Sequence, residues 1–140
     1  MANDVTIKLG DADKLQKTIN SYLQNLGISV EDEFQEAADE IGKEAVKKLK
    51  GYNFGRKRWK NYPKGWVYKP GKFRNGNFEC LIYNAKYGSL THLIEHGHPI
   101  FTKAGQKVGD AAAFPHIGPV DEWVQSELPK RIAQKMRDKN

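Results

Sequence analysis

Residues 29–51 read SVEDEFQEAADEIGKEAVKKLKG, and their period is helical. Val30, Phe34, Ala37, Ala38, Ile41, Ala45 and Leu49 recur at three- and four-residue steps, the stripe of a helix of about five turns. Ser29, with Asp32 three residues on, makes a weak capping box, and Gly51 supplies the stop. The outer face carries Glu33, Glu36 and Glu40, then Lys43, Lys47, Lys48 and Lys50. Acids first and bases last suit the helix dipole. Beyond Gly51 the period changes. Trp66-Val67-Tyr68 and residues 78–83, FECLIY, are β-rich runs. Pro70-Gly71 and Asn75-Gly76-Asn77 lie between them as turn signals. A long amphipathic helix followed by a β-hairpin or meander makes the fold class α+β.

Toward the N-terminus, Val5, Ile7 and Leu9 alternate as in a short strand. Asp11 or Asp13 caps a helix carrying Leu15, Ile19, Tyr22, Leu23 and Leu26, stopped by Gly27. Toward the C-terminus, residues 51–65 contain Gly, Asn, Pro and many bases without a period, and predict a long mobile loop. Residues 90–95 predict a short helical turn, ended by Gly97 and Pro99. Residues 101–113 predict a second mobile loop, polar and glycine-containing. Phe114-Pro115-His116-Ile117 is extended by the proline rule. Pro119 then starts a last helix with Val120, Val124, Leu128, Ile132 and Met136 on one face. Pro129 predicts a kink or a division of that helix near Leu128. The expected architecture is an antiparallel sheet of three to four strands, packed by two N-terminal helices and a C-terminal helix. It forms a single domain over residues 1–140.

Composition bounds the function. At 140 residues and 15.9 kDa, with 39% hydrophobic and 29% charged residues, the chain suits one globular core. No apolar run approaches the ~20 residues of a membrane span, so no membrane partner is expected. Met1-Ala2-Asn3-Asp4 lacks the basic start and apolar run of a secretory signal. The single cysteine, Cys80, excludes an intrachain disulfide and a cysteine-cluster metal site, and a reducing cytoplasm is expected. Charge is concentrated. Residues 43–74 hold twelve bases against one acid, Glu44, a local +11 in a chain of net +6. The rest is therefore −5, and the acidic first half and basic middle are expected to serve as two different contact patches. The middle is also aromatic, with Tyr52, Phe54, Trp59, Tyr62, Trp66, Tyr68 and Phe73.

Three chemistries deserve weighing against ordinary structure. His92-Leu93-Ile94-Glu95-His96 matches H-x-x-E-H, a zinc-hydrolase signature. Gly97 and Pro99 leave barely a turn of helix beneath it, and no third ligand has a supporting motif. Core packing by Leu93 and Ile94, with local hydrogen bonds from His and Glu, accounts for the segment better. Cys80 shares a strand face with Phe78 and Ile82 and reads as packing, not a nucleophile. No serine elbow, P-loop or dinucleotide glycine pattern is present, so no enzyme, cofactor or metal is expected. The interleaved bases and aromatics could bind phosphates and stack bases, but no RNP, KH or helix-turn-helix signature accompanies them. A protein-binding surface is the favoured reading. It consists of Arg56, Lys57, Arg58 and Lys60 as a rim with Trp59 and Tyr62 as aromatic contacts. DNA is the less favoured partner.

Residues 87–98, YGSLTHLIEHGH, and 113–120, AFPHIGPV, resemble two segments of the minor tail-component family of long-tailed bacteriophages and prophages. The specific likeness covers about the last third of the chain; Pro129 inside the last helix departs from it. The resemblance implies helices packed on an antiparallel sheet. It implies a non-enzymatic virion protein made in the bacterial cytoplasm, which completes tails or joins head to tail. Such a subunit would act in a ring, of hexameric type, at the head-proximal end of the tail. It would be monomeric or a small oligomer in isolation, and its partners would be itself, neck or connector proteins and tail-tube proteins. The alternative is a small basic nucleic-acid-binding domain. The resemblance also gives Leu93, Glu95, His96, His98, Pro115, His116 and Pro119 structural roles. Leu93 and Ile94 would fix the turn, Glu95, His96 and His98 would hold the start of the following loop, Pro115 and Pro119 would set the strand-to-helix corner, and His116 belongs to the same motif.

Overall fold

A computed structural model describes residues 4–9, 31–55, 57–71 and 80–138. The helix expected over 11–27, the Asn75-Gly76-Asn77 turn and Arg56 lie outside the described residues, as does the side chain of Arg58. Helix α1, Glu31–Lys50, holds Glu31, Asp32 and Glu33 in its first turn and Lys47, Lys48 and Lys50 in its last. Its apolar stripe is buried as the spacing requires: Phe34, Ala37, Ala38, Ile41, Ala45 and Leu49. Each of the larger side chains contributes ~1.5–3 kcal/mol by leaving water.

Three strands form the main sheet: β1 (Ile7–Leu9), β2 (Trp66–Lys69) and β3 (Cys80–Asn84). Their order is β1-β3-β2 with both pairs antiparallel. Ile7 lies opposite Ile82, and Trp66 opposite Asn84. Alternation in β3 sends Cys80, Ile82 and Asn84 inward, so Cys80 sits in the core as its strand position predicts. Helix α1 packs on β2 and β3. Gly42 permits the approach, because a Cβ there would overlap the Tyr68 ring. The same Tyr68 donates its hydroxyl to Asp39 Oδ1 at 2.8 Å.

The chain then makes a short helix α2 (Thr91–His96), strands β4 (His98–Phe101) and β5 (Lys107–Ala111), and the last helix α3 (Ile117–Asp138). Helix α3 lies along α1 and against β1, burying Ile117, Val120, Val124, Leu128 and Ile132.

Three expectations change. Helix α3 does not divide into two at Pro129. Pro129 and Gln125 are both exposed, so the carbonyl that loses its proline-side donor faces water instead of the core. Residues 101–113 are largely a hairpin, not a loop, since β4 and β5 pair antiparallel. Thr102 and Gly105 close the turn, with Thr102 N–H donating to Gln106 O at 2.8 Å and Gly105 at φ 85°. Both strands are mostly exposed, so burial never imposed the apolar alternation that marks a strand. Residues 51–65 are not a free loop. They contain two 3₁₀ turns, Lys57–Trp59 and Tyr62–Gly65, and Tyr62, Pro63 and Gly65 are buried. Buried Asn84 ties the second turn to β3, its Nδ2 donating to Tyr62 O at 2.9 Å.

Candidate functional site

The two segments around His92 and His116 meet at one carboxylate. Glu95, at the end of α2, is 7% exposed. Its Oε1 accepts the backbone N–H of His116 at 2.8 Å and of Ile117 at 2.7 Å, and Oε2 accepts that of Gly118 at 3.0 Å. These donors open helix α3 and have no carbonyl partner within it. Glu95 therefore caps a helix that starts 22 residues later in the chain. Burial pushes its carboxyl up, but the three N–H donors outweigh this and hold it below the usual carboxylate range. Both oxygens are engaged, so the acid of the H-x-x-E-H pattern is a helix cap and is not poised as a base. Among the described residues no group of three or more His, Cys, Asp or Glu is arranged to hold a metal ion.

His116 is fully buried beside it. Its Nδ1 lies 2.8 Å from Phe114 O and 3.0 Å from Glu95 Oε1, both acceptors. These partners assign the proton to Nδ1. Nε2 is then an acceptor, and the Tyr62 hydroxyl donates to it at 2.8 Å. Burial holds the imidazole pKa below its ordinary value, against the opposing pull of Phe114 O and the Glu95 charge. His116 is thus neutral near pH 7, and its contact with Glu95 is a hydrogen-bonding one, not an ion pair. Burial, then the Glu95 charge, push the Tyr62 hydroxyl up, so it stays protonated.

Around this pair the aromatics stack edge to face. Phe54 packs on His116 at 5.1 Å, on Tyr62 at 5.7 Å and on Trp59 at 5.8 Å between ring centroids. Trp59 in turn meets Phe114 at 5.3 Å. This fixes the fate of the basic-loop residues. Tyr62, expected as a surface contact, is 3% exposed and belongs to the core. Trp59 is half-buried, and Lys57 and Lys60 are exposed. Asn53 Oδ1 accepts the Gly55 N–H at 2.8 Å and turns the chain where Gly55 adopts φ 68°.

The other motif residues divide. Leu93 is half-buried, His96 and Pro119 are exposed, and Pro115 is exposed at the corner before α3. Glu95 holds the start of α3, not the start of the loop after the short turn as expected. His98 begins β4, with its Nδ1 enclosed and unpaired among the described residues. Two features carry no signal that sequence reading used. The Tyr62–His116 bond spans 54 residues, and no local spacing announces it. The outward Ile100, Phe101 and Val108, 42%, 58% and 64% exposed, sit in a segment read as polar. The Ile100-Phe101 pair before a turn could have signalled them, had residues 107–111 been tested as its partner strand.

No helix among the described residues is long and apolar enough to cross a membrane. Comparison of the chain with protein-family models, with curated proteins and with solved structures finds no match.

Proposed function

We propose that the chain is a structural, non-enzymatic virion protein of a bacteriophage or prophage, completing tails or joining head to tail as a ring subunit. The observation that carries this reading is the β4–β5 hairpin. It pairs with no other strand among the described residues and turns Ile100, Phe101 and Val108 outward. Exposed apolar side chains on strands with open edges are a template for association. A second copy of the chain is the occupant a ring requires, because each subunit meets its neighbours through two different patches. The two segments resembling the tail-component family are also those joined by Glu95 and His116, which suits a structural role for both. Unneutralised lysines beside the aromatic cluster favour the alternative, a nucleic-acid-binding domain, and the same experiment separates the two. Deleting the gene from the phage or prophage that carries it should leave filled heads and unjoined tails in electron micrographs. The wild-type chain should restore joined particles, and a folded Phe101→Asp, Val108→Asp variant should not. Normal particles without the chain would overturn the proposal.

A further inference from the structure

Part of the charge of α1 is neutralised within the chain. Glu36, Glu40 and Glu44 reach across to α3: Arg131 Nη1 lies 2.9 Å from Glu44, and Lys135 Nζ lies 2.9 Å from Glu40 and 3.7 Å from Glu36. Three of the acids that sequence reading assigned to an outer contact are therefore already paired within the chain. In the last turn of α1, Lys47 and Lys48 make no ion pair among the described residues, and neither do Lys57 and Lys60. All four are exposed. They rim two adjoining hollows of about 530 and 410 Å³ that share Tyr52 and Asn53. Val120 and Trp123 line the first, Phe54 and Trp59 the second, and no carboxylate lines either.

Four ammonium groups without an ion pair among the described residues, over a floor with apolar side chains, call for an anionic ligand with apolar parts. The rings decide which kind. Tyr52 stacks on Phe54, with centroids 6.1 Å apart and planes 25° apart, and Trp59 is wedged edge to face between Phe54 and Phe114. The Trp123 face carries Lys48 Nζ at 4.6 Å from its centroid. Base stacking needs a free ring face, and Phe54, packed against Tyr52, Trp59, Tyr62, Phe114 and His116, is committed to the cluster that forms the floor. Carboxylates need only the ammonium groups. In an extended peptide, side chains two residues apart face the same way, so apolar residues can enter the two hollows, and the acids between them lie above the floor, where the long lysine side chains of the rim reach them.

We propose that this groove docks an extended acidic segment of a partner protein, with carboxylates on Lys47, Lys48, Lys57 and Lys60 and apolar side chains in the hollows at Tyr52. The proposal goes beyond the virion role and does not rest on it, since the groove's charge and shape are the same in any assembly.

The test uses the full chain and a short fluorescein-labelled peptide alternating glutamate with phenylalanine and leucine, read by fluorescence anisotropy. The wild-type chain should bind it at least about tenfold more tightly than the same peptide with glutamine for glutamate. The pair Lys47→Glu, Lys48→Glu and the pair Lys57→Glu, Lys60→Glu should each weaken binding at least about tenfold. Lys57 and Lys60 are exposed, so their variant should melt as the wild type does. The Lys47, Lys48 variant puts acids in the last turn of α1 and loses the Lys48 contact with Trp123, so it should melt somewhat lower and is compared at a temperature where it is fully folded. The pair Lys103→Glu, Lys107→Glu makes the same change of net charge on the hairpin, and should alter binding less than about twofold. Equal binding of the two peptides, or equal loss from groove and hairpin reversals, would overturn the proposal. So would a short oligothymidylate that binds more tightly and displaces the peptide, which would assign the groove to nucleic acid.

Discussion

Glu95 joins a six-residue helix to a 22-residue one through three hydrogen bonds, so its removal should cost more than an ordinary cap. Glu95→Ala leaves three N–H groups at a largely buried helix start without acceptors, at ~1–3 kcal/mol for each donor that water fails to reach. A loss of about 3 kcal/mol in urea unfolding is expected. Glu95→Gln should cost less but still be destabilising, because its amide nitrogen would face an N–H donor. A loss under ~0.5 kcal/mol for the alanine variant would show that the cap contributes little. The pH dependence follows from the same cluster. His116 has a folded pKa below its ordinary 6.5, so its contribution to stability is fully present above pH 6.5 and is lost as pH falls toward the folded value. Glu95, held below the ordinary 4.5, contributes above pH 4.5 and loses its contribution at still lower pH. Both act in one direction, and the melting temperature should begin to fall below pH 6.5. Nitrogen-15 NMR should show His116 as the neutral Nδ1–H tautomer at pH 6.5. A His116 that titrates above 6.5 would contradict the assignment.

Among the elements, α3 offers the sharpest test of how sequence rules are overridden. Proline inside a helix removes one hydrogen bond and crowds the preceding turn, and Pro129 nonetheless lies within a helix that does not divide there. The stripe of Val124, Leu128 and Ile132 is buried on both sides of it, and packing against α1 holds the axis that local preference would divide. The Pro129→Ala variant should therefore stabilise the protein, by about 1–3 kcal/mol, because it restores the lost bond without disturbing the core. An unchanged or lower urea midpoint would mean that the proline shapes α3 where it meets α1. Elements with one buried face were legible for a physical reason. In α1, β1, β3 and α3, burial imposes the period that sequence reading detects, and Phe34, Ile82 and Val124 fall where their spacing places them. Strands β4 and β5 bury little, so their residues carry no such imprint and read as loop. The 51–65 segment misled in the opposite way. Lys57, Lys60 and Lys64 stay in solvent while Tyr62 and Pro63 anchor it, and composition alone does not tell which of the two governs a loop. Glu95 and His116 were each singled out, but their pairing depends on how α2 and α3 pack, which no short motif encodes.

At the scale of the whole molecule, the charge asymmetry was legible and its use was not. Glu36, Glu40 and Glu44 of α1 face Arg131 and Lys135 within the chain, so three of the acids expected in an outer contact already have partners, and the hairpin is the surface to test first. Phe101 and Val108 are more than half exposed, so changing both to aspartate should alter stability by no more than ~0.5 kcal/mol per site. The same change places charge in any contact that buries them, where an unpaired carboxylate costs several kcal/mol. Folding and association are thereby separated in one variant. A subunit that closes a ring only on its docking site should associate weakly alone, since strong self-assembly would compete with docking. Light scattering of the wild-type chain should show monomer or small oligomers when dilute and a mass that rises with concentration. The Phe101→Asp, Val108→Asp variant should stay monomeric over the same range with an unchanged circular dichroism spectrum. A dimer of fixed mass at every concentration would indicate a closed two-fold contact, in which one patch meets itself, and would count against the ring. A concentration dependence that survives both aspartates would move the self-contact away from the hairpin to another face of the molecule.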